Sequence, residues 1–196
     1  MMKIGVALAG TVVLAGAIGA FQIQAAKALE VPDYQVEAAD GDFELRSYPS
    51  MVVANVNRTG SRQQAVRRAF TPLADYIFAK NRPGDKIAMT APVTQGRSDE
   101  GWTVSFIMPS DLSLDALPVP AGDVVLEEMA PRYMASVRFS GRWSDQRFNE
   151  QTKRLISWVE ARGLRPLGQA EYGYYNDPFT PAFLRRNEVM IEVAKP

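Results

Sequence analysis

The feature that most constrains this chain is that its order of elements is used twice. Residues 43–47 and 51–56 read as strands around a Tyr48-Pro49-Ser50 turn, a hairpin that is expected to open the domain. A helix follows from Ser61, then strands at 86–94 and 102–108. Beyond a proline-rich connection, 109–122, the order recurs. Strands at 124–129 and 133–140 flank Pro131, a helix runs from Ser144 to Ala161, and strands close the chain at 169–175 and 188–193. Pro49 and Pro131 stand 82 residues apart, Ser61 and Ser144 83 apart, so the chain reads as two ββαββ halves related by duplication. Eight strands and two one-sided helices must bury their apolar faces on one another. The expected fold is α+β, a distorted antiparallel β-barrel with both helices packed outside.

Local chemistry supports these elements. Ser61 and Gln64 have the spacing of a capping box. Val66, Ala69, Phe70, Leu73 and Ile77 form one apolar stripe of a helix ending near Lys80, with Pro72 expected to kink it. Ser144 caps the second helix, Phe148, Leu155, Ile156 and Val159 face inward, and Gly163 stops it. In 102–108, Trp102, Val104, Phe106 and Met108 alternate with Thr103 and Ser105, the period of a half-buried strand. Pro92 cannot donate to a ladder, so 86–94 is expected at a sheet edge or bulge, beside a pocket. Residues 29–39 read as a linker.

Composition limits the chemistry. With 22 basic and 22 acidic residues the chain has no basic field to hold nucleic acid. It has no cysteine and no histidine, which excludes a thiolate nucleophile, a Cys/His zinc site, a Ser-His-Asp triad and a histidine ligand to haem iron. Residues 4–23 form an uncharged run of 20 between Lys3 and Lys27, long enough to span ~30 Å of hydrocarbon. The run also has the shape of an export signal, with Ala26-Lys27-Ala28 as an A-x-A cleavage site. Segment 1–28 is therefore expected to be a signal peptide or an N-terminal membrane anchor. The folded domain, 29–196, is expected to be exported, either periplasmic or anchored to the inner membrane facing the periplasm, and to meet the membrane only through that segment.

Several motifs are familiar in combination. Met89-Thr90-Ala91-Pro92-Val93, Phe106-Ile107-Met108-Pro109, Tyr175-Asn176-Asp177-Pro178 and Arg185-Arg186-Asn187-Glu188-Val189 resemble, in this order, the SOUL / haem-binding protein family. The resemblance covers roughly residues 31 to 194. It implies a compact α+β barrel-like fold that binds haem or another tetrapyrrole in a cleft along the first helix, where the matching positions are Arg67, Phe70, Ala74 and Asp75. Ala74 is small and Asp75 acidic, where a larger apolar residue and a basic one would suit a porphyrin and its propionates better. Ile77 and Phe78 widen the apolar face of this helix. Guanidinium groups pair with propionates, and Arg67, Arg185 and Arg186 are the candidates. Tyr175 could stack on the ligand or bind its iron, and Met89 offers a thioether. The expected binding set is Arg67, Phe70, Ala74, Ile77, Met89, Tyr175 and Arg186, with haem as cofactor and with Tyr175, Met89 or no protein group on the iron.

Two other functions fit the same pattern. One is a sensor module for flat hydrophobic or cationic molecules, since the fold also resembles the effector-binding domains of drug-responsive regulators. The other is an enzyme that uses Glu44, Glu127 or Glu128. Thr90 and Ser105 lack a neighbouring base, and Glu127 and Glu128, adjacent in a strand, point to opposite faces, so the enzyme is the less favoured.

Overall fold

A computed structural model of the protein describes residues 29–196; the leader expected at 1–28 lies outside the described residues. The first strand, β1 (Gln35–Asp40), occupies the stretch read as a linker. All six of its residues are exposed, so it lacks the alternation by which a strand is recognised. The remaining elements follow the duplicated order. They are β2 (Phe43–Tyr48), β3 (Met51–Arg58), α1 (Arg62–Ile77), β4 (Val93–Ser98), β5 (Gly101–Ile107), β6 (Val125–Met129), β7 (Arg132–Phe139), α2 (Asp145–Ala161), β8 (Glu171–Tyr174) and β9 (Asn187–Val193).

One antiparallel sheet contains all nine strands in the order β1-β2-β7-β9-β8-β4-β5-β3-β6. Apart from β1, this order reads the same from both ends when each strand is exchanged for its counterpart in the other half. The pseudo-twofold axis passes through the β4–β8 ladder, where Thr94 faces Gly173. The α+β class, the duplication and the two packed helices are as expected. Strand pairing does not close the sheet, because β1 and β6 are edges, so the barrel is an open one.

The expected opening hairpin does not form. β2 pairs with β1 and β7, whereas β3 pairs with β5 and β6. The Tyr48-Pro49-Ser50 link crosses between sub-sheets, and each half lends its first strand to the other. The strand expected at 86–94 is also corrected. Regular pairing begins at Val93, and β4 is an interior strand between β5 and β8. Pro92 thus stands just outside the ladder, which removes the need for an edge. The irregular segment before it is pinned by the Thr90 hydroxyl, donating to the Ile107 carbonyl at 2.6 Å, and by Ala91 N–H, donating to Glu30 O at 2.8 Å.

Both helices pack on the same face, α1 over β3 and β5 and α2 over β7 and β9. The capping box of α1 is complete, with Ser61 and Gln64 bonding reciprocally, and the helix continues through Pro72. In α2, Phe148, Leu155 and Val159 face inward as expected and are joined by Gln151 and Trp158, whereas Ile156, also expected inward, is exposed. Arg62, at the start of α1, clasps the halves together. Its guanidinium donates to Asp145 Oδ1 (2.7 Å), the Tyr174 hydroxyl (2.6 Å) and the Trp143 carbonyl (2.9 Å).

Candidate functional site

On α1 the helical repeat places Arg67, Phe70, Ala74 and Phe78 along one stripe, about 16 Å long at 1.5 Å per residue. Phe70 and Phe78 remain 42% and 37% exposed, and Ala74 between them is buried. Phe70 is held edge-on against Phe106, with centroids 5.4 Å apart. Arg67 is exposed, donates from Nε to Gln63 O at 3.1 Å, and makes no ion pair among the described residues. Ile77, 1% exposed, belongs to the core beneath. Met89 is half-buried against that same core.

Tyr175 and Arg186 lie elsewhere, on the face of the sheet that carries no helix. There Glu188, fully buried, accepts from Arg46 through two bonds of 2.7 and 3.1 Å, from the Tyr175 hydroxyl at 2.8 Å and from Arg186 at 2.8 Å. Arg186 also stacks on the Tyr175 ring at 3.8 Å. Burial opposes the charge on Glu188, but the donors, Arg46 foremost, hold its carboxyl below the ordinary range. Burial, and then the Glu188 charge, push the Tyr175 phenol well above its ordinary value. A neutral phenol already donating to a carboxylate is poorly prepared to ligate iron. The residues expected to share one site are therefore divided between opposite faces of the sheet. Sequence reasoning also missed Arg46, the main partner of Glu188. Its signal was strand parity, since Arg46 and Tyr48 alternate with the helix-facing Phe43 and Leu45.

The motif residues mostly build loops. The Asp177 carboxylate accepts from Phe179 N, Thr180 N and the Thr180 hydroxyl, and Asn176 Oδ1 accepts from Arg186 N. Arg185 donates to the carbonyls of Thr180 and Pro178 and covers Trp143, so it is committed to its own loop. The three glutamates considered for catalysis do not converge. Glu44 accepts from Arg46 and Glu127 from Asn55, while Glu128 lines a cavity of ≈ 430 Å³. Glu30, Asp33 and Asp111 also line that cavity, which has no basic residue and so is electrostatically wrong for a dicarboxylate such as haem. Among the described residues no cluster of metal-ligating side chains occurs, and no helix is long and apolar enough to cross a membrane.

Comparison with known proteins adds a lineage to this geometry. Residues 29–192 match the family described as SOUL heme-binding protein. The chain is 30% identical to heme-binding protein 2 of Homo sapiens over 186 residues, covering 88% of this chain and 90% of that protein. It is 29% identical to the Mus musculus protein of the same name, covering 84% and 86%. Among solved structures, the C-terminal domain of EcmrR superposes with a TM-score of 0.59 at 16% identity, covering 83% of this chain and 99% of that one. The structure of a hydrolase from Listeria innocua superposes with a TM-score of 0.54 at 17% identity, covering 81% of this chain and 94% of that one. At such identities these two structures share the fold alone.

Proposed function

Because the chain belongs to the SOUL heme-binding protein family, we propose that it binds haem or a related tetrapyrrole on the exposed stripe of α1, in carriage, buffering or sequestration. One observation carries this reading. Arg67, Phe70 and Phe78 share a helix face on which two aromatic rings stay in water although the core beneath them is filled. Phenyl rings match the flat apolar face of a porphyrin, and an unpaired guanidinium matches a propionate. The site is open and apolar, and no histidine exists to hold iron, so affinity comes from the macrocycle more than from the metal. Met89, half-buried beside the stripe's core, is the soft ligand that iron could recruit. The relatives named heme-binding protein 2 support the ligand class, and the apolar run at 4–23 supports an exported domain, periplasmic or tethered to the inner membrane.

The test is an absorbance titration of the purified protein with haemin and, in parallel, with iron-free protoporphyrin. Both are expected to saturate one site. Phe70→Ala and Arg67→Ala each weaken both ligands roughly tenfold, as loss of an aromatic contact or a charged hydrogen bond should, while Tyr175→Phe leaves them unchanged. Failure of both porphyrins to saturate at micromolar concentration would sink the reading.

A further inference from the structure

We propose that the loop between β8 and β9 docks the protein on a membrane surface, its apolar tip entering the headgroup region of an anionic bilayer. Tyr174 and Asn187 face each other at the end of the β8–β9 ladder, so residues 175–186 project from that end of the sheet. In the other half the matching connection, between β4 and β5, is only the turn Asp99-Glu100. The fold therefore does not need the longer one. At its tip Phe179, Phe183 and Leu184 are 94%, 75% and 62% exposed, and Pro178 and Pro181 are exposed with them. So much apolar surface gathered on one loop marks a contact site. The loop is also held in shape before anything binds. Asp177 and Arg185 close it from within, and Gly141 N–H donates to Ala182 O at 2.9 Å from outside. Its rings are thus presented with little left to order on docking.

Size, charge and position make lipid the occupant. A tip of three side chains is too small for a stable protein interface, which takes ~800 Å² from each partner, whereas a bilayer needs only the tip itself to be buried. Arg142 follows Gly141, the Arg147 side chain lies over Gly141, and Arg185 sits in the loop. None of these three has a carboxylate partner among the described residues, and Arg142 and Arg147 are exposed. The nearby carboxylates are engaged, Asp145 by Arg62 and Asp177 by its own loop. Cations around an apolar tip suit phosphate headgroups. Pro32 lines one small cavity with Pro92 and Tyr175, so the chain enters the domain beside the root of the loop, shortly after the apolar run at 4–23. Tethering through that run would hold the tip at the bilayer. Contact with the membrane would then extend beyond segment 1–28, to which the sequence alone confined it. The proposal is independent of the haem reading, since none of its residues belongs to the α1 stripe.

The chain has no cysteine, so Phe183→Cys carries a polarity-sensitive fluorophore at the tip alone, and Glu100→Cys carries it at the matching turn of the other half. The full-length protein, labelled at either position, is mixed with vesicles of equimolar phosphatidylcholine and phosphatidylglycerol. The label at 183 is expected to shift to the blue and to be quenched by brominated lipid, while the label at 100 stays as in buffer. Anchoring through 4–23 alone would not separate the two positions. Phe179→Ser is expected to lower the inserted-to-free ratio of the 183 label about tenfold, as loss of one buried ring should, and Arg142→Gln and Arg147→Gln about fivefold each. Emission at 183 that stays as in buffer, shifts equally with that at 100, or shifts without vesicles as protein concentration rises overturns the proposal; the last would mean that a second copy covers the loop. Hydrogen exchange of the unmodified protein decides without a variant. Amides in 178–184 should exchange more slowly with vesicles present, and unchanged exchange overturns the proposal.

Discussion

The two helices are copies of one device put to different ends. Val66, Ala69, Leu73, Tyr76 and Ile77 of α1 pack inward at positions that, 82 residues on, hold Phe148, Gln151, Leu155, Trp158 and Val159 of α2. The same shift carries Arg67, Phe70, Ala74 and Phe78 onto Asn149, Thr152, Ile156 and Glu160. Packing thus accounts for the inner face of both helices, but it does not require aromatic rings or an arginine on the outer stripe, because α2 does without them. What the fold leaves undetermined is where function is to be sought. The sheet shows the same asymmetry. Ser105 and Glu188 are counterparts, facing Thr94 and Gly173 across the axis, yet the first lines an open groove and the second anchors a buried ion network.

The largest effect expected from breaking this asymmetry is at Glu188. Glu188→Gln removes the buried charge that Arg46 and Arg186 share, leaving Arg46 only Glu44, and should cost ~3–5 kcal/mol, whereas Ser105→Ala at the matching position should change stability by less than about 0.5 kcal/mol. Urea unfolding of both variants measures the difference, and equal losses would show that the halves are balanced after all.

The pH dependence should be smaller and one-sided in each direction. Glu188 has a depressed folded pKa, so its contribution is full above the ordinary carboxyl value of 4.5 and is lost as pH falls through the lower, folded one. Tyr175 is shifted upward, and burial pushes Tyr174 up to about 12. The folded chain therefore keeps phenolic protons that the unfolded chain releases above about pH 10, and stability falls from there as pH rises. Melting temperatures against pH should show this alkaline slope, reduced by Tyr175→Phe; an unchanged slope in that variant would remove Tyr175 from the account.

The smallest effect distinguishes the helix starts. α1 has a reciprocal capping box, while Ser144 of α2 accepts a single bond, from Arg147 N. Ser61→Ala should therefore cost about 1 kcal/mol and Ser144→Ala somewhat less, as read from denaturant midpoints.

Much of this molecule could be read from local pattern. Ser61 with Gln64, and the alternation from Trp102 to Met108, are short-range signals, and short-range physics determines them. Where the reading failed, the deciding contact was distant or unpatterned. Nothing near Pro49 says that β2 pairs with a strand some 90 residues away, since adjacency ordinarily favours a hairpin. β1 is exposed throughout, so no periodicity marks it. The candidate site was legible in kind but not in place. Phe70 was found by helical spacing and Arg67 through the family resemblance, yet Tyr175 and Arg186 were grouped with them because motif residues were assumed to converge. Only the register of β8 and β9 places those two on the other side of the sheet.

The exchange of first strands between halves has a consequence for how the chain is made. Phe43 leaves the ribosome well before Val137, the residue it will face, and β3 likewise waits for β6 on one side. Until the second half is synthesised, the first exposes unpaired strands whose proper partners do not yet exist, the condition under which nascent chains associate with one another. Neither half can complete its own sheet, so folding is a single late event that depends on contacts far apart in sequence. For a protein built by repeating a unit, the unit is not what folds.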